Sequence, residues 1–493
     1  MNTTKMSYKE RRNNPSRHRA GIALSVGLLC AAMQVPAHAN EAVSELVKTL
    51  KEKGVLSNEE YGQIKDTLRE IKQSEAEAKR GELKPVFKDG IAIESASKDF
   101  SLSLTGRVHA DYRNYLGNDG MTADTFEMRR ARVGAKAKFY DRYEVQVIGE
   151  FGAGGAALDI AHLDALWWPK LGLRFGQFKM PMGLEQLTSS NFIDFQERSL
   201  ADQLVPGKEI GAMAFGEITK GVNYGLALSN GRGINRAELS NIDTTTSQNN
   251  AKADKMDVIG RITANFAEIL KQKDAVYHAG LAFSKGEQAP GDGVLSARSQ
   301  ARGASFFQTA TFDGENFDRT RYGFEGAAAR GPVKLQGEYL TANYQGNSKA
   351  GVNFDRDISA WYASINWMIT GEKYADNYKA GAFGRIRPNT NFQPGSLAEG
   401  WGAWEVGLRF AEYDASDFSA ANAAGTGRLA ASSATTAYTN KAGAWTAGVK
   451  WIVNPNTRFM LNYVQTDFDT PVTVNGVTSK SEKAATLRAQ FDF

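Results

Sequence analysis

The chain has 493 residues, with 59 Lys and Arg against 55 Asp and Glu, five histidines and one cysteine. Its formal net charge of +4 is carried by the first 39 residues, and without them the chain is close to neutral. That balance argues against a nucleic-acid partner. Loss of Cys30 with the same segment excludes disulfides and thiolate metal sites in the remainder.

Residues 1–39 read as a signal peptide. Lys5, Lys9, Arg11, Arg12, Arg17 and Arg19 form a basic start, Gly21 to Met33 an apolar run, and Ala37-His38-Ala39 a small-x-small cleavage site. The apolar run, about 13 residues against the roughly 20 needed, is too short to span a bilayer. Leu29, before Cys30, does not fit a lipoprotein signal. Residues 40–83 are expected to form a helical periplasmic segment. Val43, Leu46, Val47 and Leu50 recur at helical spacing, Gly54 ends that helix, and Ser57 with Glu60 forms a capping box that starts another. Tyr61, Ile64, Leu68 and Ile71 then follow as a short heptad seam. Two readings stand: an amphipathic hairpin folded on itself, or a short coiled coil that helps hold an oligomer.

From Phe100 onward the dominant period is two. Trp361, Ala363, Ile365, Trp367 and Ile369 alternate with polar residues. So do Trp404, Val406, Leu408 and Phe410, and Trp445, Ala447, Val449, Trp451 and Val453. Aromatics stand near the ends of each apolar face, where interfacial girdles belong. About sixteen such segments of about ten residues are too many for one soluble sandwich. The fold class is therefore all-β, a transmembrane antiparallel barrel over residues 84–493. Its closing strand has Leu487, Ala489, Phe491 and Phe493 on one face and Arg488, Gln490 and Asp492 on the other. Phe493 is the expected handle for barrel-assembly machinery. Asn454 to Thr457 and Ala329 to Pro332 read as tight turns; residues 233–255, 286–303, 414–440 and 470–482 read as long loops. Residues 180–207 are long but apolar and charged, and are expected to fold into the lumen as a constriction.

Catalysis finds little support. His109, His162 and His278 lie far apart with no metal-ligand spacing, and no nucleophile elbow occurs. No enzyme activity, cofactor or metal is expected. The chemistry-bearing pattern lies in Phe126 to Phe139. Arg130, Arg132, Lys136 and Lys138 share one face, opposite Ala131, Val133, Ala135, Ala137 and Phe139. A Lys or Arg facing lipid at the midplane costs about 2–4 kcal/mol, so the cations are assigned to the lumen, where they favour anions or pair with acids such as Glu144 and Glu150. Arg409, which alternates with Leu408 and Phe410, is a further lumen candidate, whereas strand parity sets Arg129 opposite Arg130 and points it to the rim.

Several stretches resemble the phosphate- and polyphosphate-selective outer-membrane porin family. They are Leu104 to Tyr112, Arg129-Arg130, Leu173 to Lys179, Gly183 to Glu185, Thr188 to Ser190, Glu197-Arg198, Gly402 to Glu405 and Gly448 to Tyr463. The resemblance implies an outer-membrane homotrimer of sixteen-stranded barrels, lipid-embedded, passing small anions passively. It also implies anion handling by Arg107, Arg129, Arg130 and Arg198. Two departures stand out. Asn191 occupies a position where phosphate-selective members carry lysine, and their arginine ladder is reduced here to Arg298 and Arg302. The alternatives are a weakly selective general porin or a plugged barrel that tethers the envelope.

Overall fold

The computed structural model describes residues 39–80, 82–87, 90–117, 120–152, 154–234, 256–289, 294–314, 316–395 and 400–493. The segment read as a signal peptide, apart from Ala39, and most of the 233–255 connection lie outside them. The chain divides into two compact units, one ending at Glu82 and one beginning at Leu83. No described helix is long and apolar enough to cross a membrane.

The first unit is a helix pair, α1 (Ala39–Glu52) and α2 (Asn58–Arg80). Gly54 takes φ 73°, and the Val55 amide bonds back to the Leu50 carbonyl at 3.0 Å, so the helix end is closed by a left-handed glycine. The capping box forms reciprocally. Ser57 N donates to Glu60 Oε2 at 2.9 Å, and Glu60 N donates to Ser57 Oγ at 3.2 Å. These bonds hold the Glu60 carboxyl below its usual range. Val47 is buried, the Lys51 ammonium stands 4.1 Å from the Tyr61 ring centroid, and the Tyr61, Ile64, Leu68 and Ile71 seam is half-buried.

The second unit is a closed barrel of sixteen antiparallel strands. The first eight are β1 (Phe100–Leu116), β2 (Thr125–Phe139), β3 (Tyr143–Glu150), β4 (Ala157–Trp168), β5 (Leu171–Lys179), β6 (Lys208–Thr219), β7 (Val222–Ser229) and β8 (Asp257–Asn265). The rest are β9 (Ala275–Gln288), β10 (Phe317–Arg330), β11 (Val333–Asn347), β12 (Asn353–Met368), β13 (Ala403–Asp414), β14 (Lys441–Asn454), β15 (Thr457–Val474) and β16 (Val477–Asp492). Each pairs with the next, and β16 returns to β1 from Lys483↔Leu116 to Asp492↔Arg107. Closure pairs every backbone group without leaving an edge, which is what lets strands cross a membrane.

The two faces are inverted relative to a soluble sheet. On β16, Leu487 and Phe491 are 44% and 48% exposed, while Arg488, Gln490 and Asp492 are at most 3% exposed. At one end, Trp404, Trp451 and Phe459 stack side by side on the outer face, with centroids 5.4 and 5.7 Å apart. Phe493 continues the closing seam. Its N and O pair with Gly106 at 3.1 and 2.9 Å, and its ring fills the space a Gly106 side chain would need. A strand pair, Leu83–Phe87 and Ile91–Ser95, extends the sheet along β1 through Ala92↔Ser103.

Turns 140–142, 169–170, 220–221, 331–332 and 455–456 are short and lie at one end. One connection differs from the sequence-based expectation, and a second is not singled out by it. Residues 470–482 are not a loop: β15 and β16 run on to a two-residue turn at Asn475 and Gly476, both left-handed at φ 51° and 82°. Residues 369–395 emerge at the short-turn end yet form a long segment that enters the lumen. There Tyr374 Oη donates to Glu405 at 3.0 Å, Tyr378 Oη meets His278 Nδ1 at 2.6 Å, and Arg385 pairs with Asp492. At the opposite mouth, connections 289–316 and 415–440 pack together through Phe306, Phe307, Phe312 and Phe418.

Candidate functional site

The loop 180–207 turns inward after β5 and is fastened to the far wall. Its short helix, Leu184–Leu187, begins on the Glu338 carboxylate of β11, which accepts from Leu184 N (2.8 Å) and Glu185 N (2.7 Å). Glu185 pairs with Arg409 at 2.8 Å, Asp194 with Lys334 at 2.6 Å, and Arg488 donates to the Gln196 carbonyl at 2.6 Å. Phe195 lies on Gly407 and Gly448, direct cross-strand neighbours on β13 and β14; a Cβ on either would stand 3.0 Å from its ring. The absence of two side chains thus makes the seat for one aromatic.

Fastening the loop to β11 and β13–β16 leaves a passage against β1–β6. A cavity of about 590 Å³ there is lined by Arg107, Arg130, Arg132, Lys179, Arg198 and Lys208, with Asp159 the one acid among the described residues that line it. A second space of about 220 Å³ carries Arg129, Arg130, Arg198, Arg298 and Arg302 against Glu197 and Asp202. Arg130 and Arg198 line both, so the cations form one continuous track.

The cations differ in how their charge is compensated. Arg107 and Arg132 face each other across β1 and β2, an arrangement that repels. Arg132 is compensated by Glu150 (2.5 Å) and Asp159 (2.8 Å), and Lys208 also reaches Asp159. Arg107 donates instead to the neutral Ser190 Oγ at 2.8 Å. Lys179 Nζ is held by the carbonyls of Gln186 (2.5 Å), Leu187 (3.3 Å) and Thr188 (3.1 Å), at the C-terminal end of the short helix. Arg198 donates to the Glu185 and Thr188 carbonyls there, at 2.9 and 3.1 Å, with Asp202 farther off at 3.6 Å. Carbonyl dipoles orient a cation without cancelling its charge. Among the described residues, Arg107, Arg130 and Lys179 have no carboxylate within ion-pair distance.

Arg129 does not point to the rim. A β-bulge between the His109↔Arg130 and Ala110↔Met128 pairs leaves Arg129 unpaired and lets it reach Glu197 at 2.8 Å. The extra residue resets the alternation that the rim assignment assumed. Glu197 is shared with Arg113 (2.8 Å) and Arg488 (3.3 Å), so it gathers three guanidinium groups.

Three other candidates fall away from the passage. Lys136 pairs with Glu144 at 2.7 Å, matching the acid-paired alternative, and Lys138 pairs with Asp141. Arg409 is 2% exposed, stacked 4.7 Å from the Phe195 ring, and serves to fasten the loop. Arg298 and Arg302 are exposed in the second space. Arg302 takes φ 65°, a left-handed backbone that disfavours side chains, in a turn closed by its amide on the Ser299 carbonyl at 2.8 Å. Glu482 braces that turn, accepting from Ala304 N at 2.6 Å.

Asn191 faces the wall, its Oδ1 3.2 Å from His109 Nε2, while His109 Nδ1 accepts from Arg130 at 3.4 Å. A lysine directed as Asn191 is would meet Arg130 across one imidazole. Lys179 and Lys208, absent from the sequence-based set, supply cations from the two ends of the inward loop. The signal was available: each is the strand residue adjoining that loop.

Residues 102–493 match the family described as phosphate-selective porin O and P. Porin O of Pseudomonas aeruginosa is 26% identical over 414 residues, covering 79% of this chain and 88% of that protein. Among solved structures, the outer membrane channel DcaP of Acinetobacter baumannii aligns with a TM-score of 0.50 at 11% identity, over 81% of this chain and 99% of that one. An anion-selective porin from Comamonas acidovorans aligns at 0.48 with 14% identity, over 80% of this chain and all of the other.

Proposed function

Because the chain belongs to the phosphate-selective porin O and P family, we propose that it is a passive channel for small anions, phosphate among them, which pass between the inward loop and β1–β6. Its place is the outer membrane. The observation that carries this reading is the track of Arg107, Arg130 and Lys179, held by hydroxyl, imidazole and carbonyl groups with no carboxylate at ion-pair distance among the described residues, and continued by Arg198 on the same carbonyls. Oriented cations in a confined lumen lower the barrier for anions and raise it for cations. Arg129, Arg298 and Arg302 extend the same attraction toward the loop-rich mouth. The chain works as a trimer, and the half-buried Tyr61–Ile71 seam is the surface through which its helices meet.

Planar-bilayer recording in a KCl gradient tests the reading. The expected reversal potential favours chloride, and added phosphate at millimolar concentration lowers the chloride current. Arg107→Ala should weaken that block, since Arg107 lines the passage and, among the described residues, has no carboxylate at ion-pair distance. A weakly selective general porin is favoured by the acid pairs on Arg132 and Lys208, and would show chloride preference without block. A plugged tether is favoured by residues 374–385 in the lumen, and would conduct nothing. Chemical crosslinking in outer-membrane fractions tests the trimer; recovery of monomer alone would reject it.

A further inference from the structure

The cation-lined cavity carries a second chemistry. Ile160 on β4, Leu187 and Pro206 near the ends of the inward loop, and Ile234 beyond β7 line the same space as Arg107 and Lys179. Ile160 is opposite Ile148, on the face where Gln146 opposes His162, so both isoleucines point into the lumen. Ile148 is 3% exposed and backs the wall, while Ile160 and Leu187 are partly open and Ile234 is 44% exposed. Lumen-facing positions of a water-filled barrel are ordinarily polar, and lipid contact cannot explain isoleucine on that side. A bare chloride or phosphate ion gains nothing from an aliphatic wall. An anion with an apolar body gains on both sides of the passage.

We propose that the preferred solutes are small organic anions. A phosphoryl or carboxylate head sits on Arg107, Lys179 and Arg198, and an aromatic or aliphatic body lies on Ile160, Leu187 and Ile234. This rests on the anion-channel reading and narrows its solute class. The arrangement separates two tasks: the cations admit negative charge of any kind, and the aliphatic wall ranks the anions admitted by what is attached to that charge.

The test compares methyl phosphate with phenyl phosphate, esters of equal charge, as blockers of chloride current through the full-length protein in a bilayer. Covering roughly 60 Å² of apolar surface at about 25 cal/mol per Å² lowers the half-blocking concentration of the phenyl ester about tenfold. Ile160→Thr combined with Ile234→Ser should bring the ratio of the two half-blocking concentrations toward one. Ile234→Ser alone, on an exposed residue, should narrow it in part and guards against a misfolded double variant. Equal block by the two esters in the unaltered protein would overturn the proposal, as would a ratio left intact in both variants. A reversal potential favouring cations would instead remove the anion-channel reading beneath it. Chloride preference with equal ester block would remove the organic-anion inference alone.

Discussion

Phe195→Ala tests how the constriction is held. Phe195 is 2% exposed, seated on Gly407 and Gly448, with the Arg409 guanidinium 4.7 Å from its ring centroid. Burial of about 150 Å² of aromatic surface contributes roughly 4 kcal/mol, and the cation–π contact adds about 1 kcal/mol. The sum lies at the upper end of the roughly 3–5 kcal/mol typical of buried Phe→Ala changes. The barrel ladder does not pass through Phe195, so the loss falls on the loop and shifts its seated-to-released equilibrium roughly several thousandfold. The Arg409–Glu185 and Lys334–Asp194 pairs still hold its flanks. Single-channel recording should show greater open-channel noise and a larger mean conductance, while heat-modifiable migration of the barrel stays unchanged. Gly448→Ala should act in the same direction, because its Cβ would stand 3.0 Å from the Phe195 ring and 2.3 Å from Asn462 Nδ2. Conductance and noise indistinguishable from the unaltered protein in Phe195→Ala would refute the reasoning.

At Arg302, held at φ 65°, Gly and Ala substitutions remove the same charge but differ in backbone fit. Both should lower the chloride-to-potassium permeability ratio, and the Gly variant should be the more stable by about 1 kcal/mol; a more heat-resistant Ala variant would contradict the strain argument. Deleting residues 374–395 removes the Tyr374, Tyr378 and Arg385 contacts inside the lumen, and should raise single-channel conductance; an unchanged value would mean that this segment does not narrow the path. In the helix pair, the Glu60 carboxyl is depressed by its bonds to Ser57. The cap is therefore fully present above the ordinary carboxylate value of about 4.3 and is lost as pH falls through the lowered one. Far-UV circular dichroism of residues 39–80 should show helix lost in that acid window, and Ser57→Ala should remove that step; an identical acid profile in the variant would exclude the cap as its source.

The strands were legible because side-chain alternation survives wherever one face meets lipid and the other does not. Helix punctuation was equally readable, since Gly54 and the Ser57–Glu60 pair act within a few residues of themselves. The inward course of residues 180–207 could be read from composition, as apolar and charged side chains together need partners. Residues 369–395 were not legible, because nothing local distinguishes a lumen-entering segment from a surface connection; the cues are distant, on Glu405, His278 and Asp492. Residues 470–482 misled because polar strands that run past the membrane resemble a loop in composition. Arg409 and Arg107 have equivalent parity, and only the position of the folded-in loop decides that one is covered and the other open.

The bulge at Arg129 shows how permeation chemistry can change while the scaffold does not. Adjacent residues of a regular strand serve opposite solvents, so charge density on the lumen side has a ceiling set by the pleat. One unpaired residue lifts that ceiling locally and brings Arg129 and Arg130 to the same side, without adding a strand or widening the barrel. Removing Arg129 altogether would restore the regular ladder, whereas replacing it would keep the offset and lose only the charge. Insertions and deletions of one residue are therefore as direct a route to altered selectivity in this architecture as substitutions are.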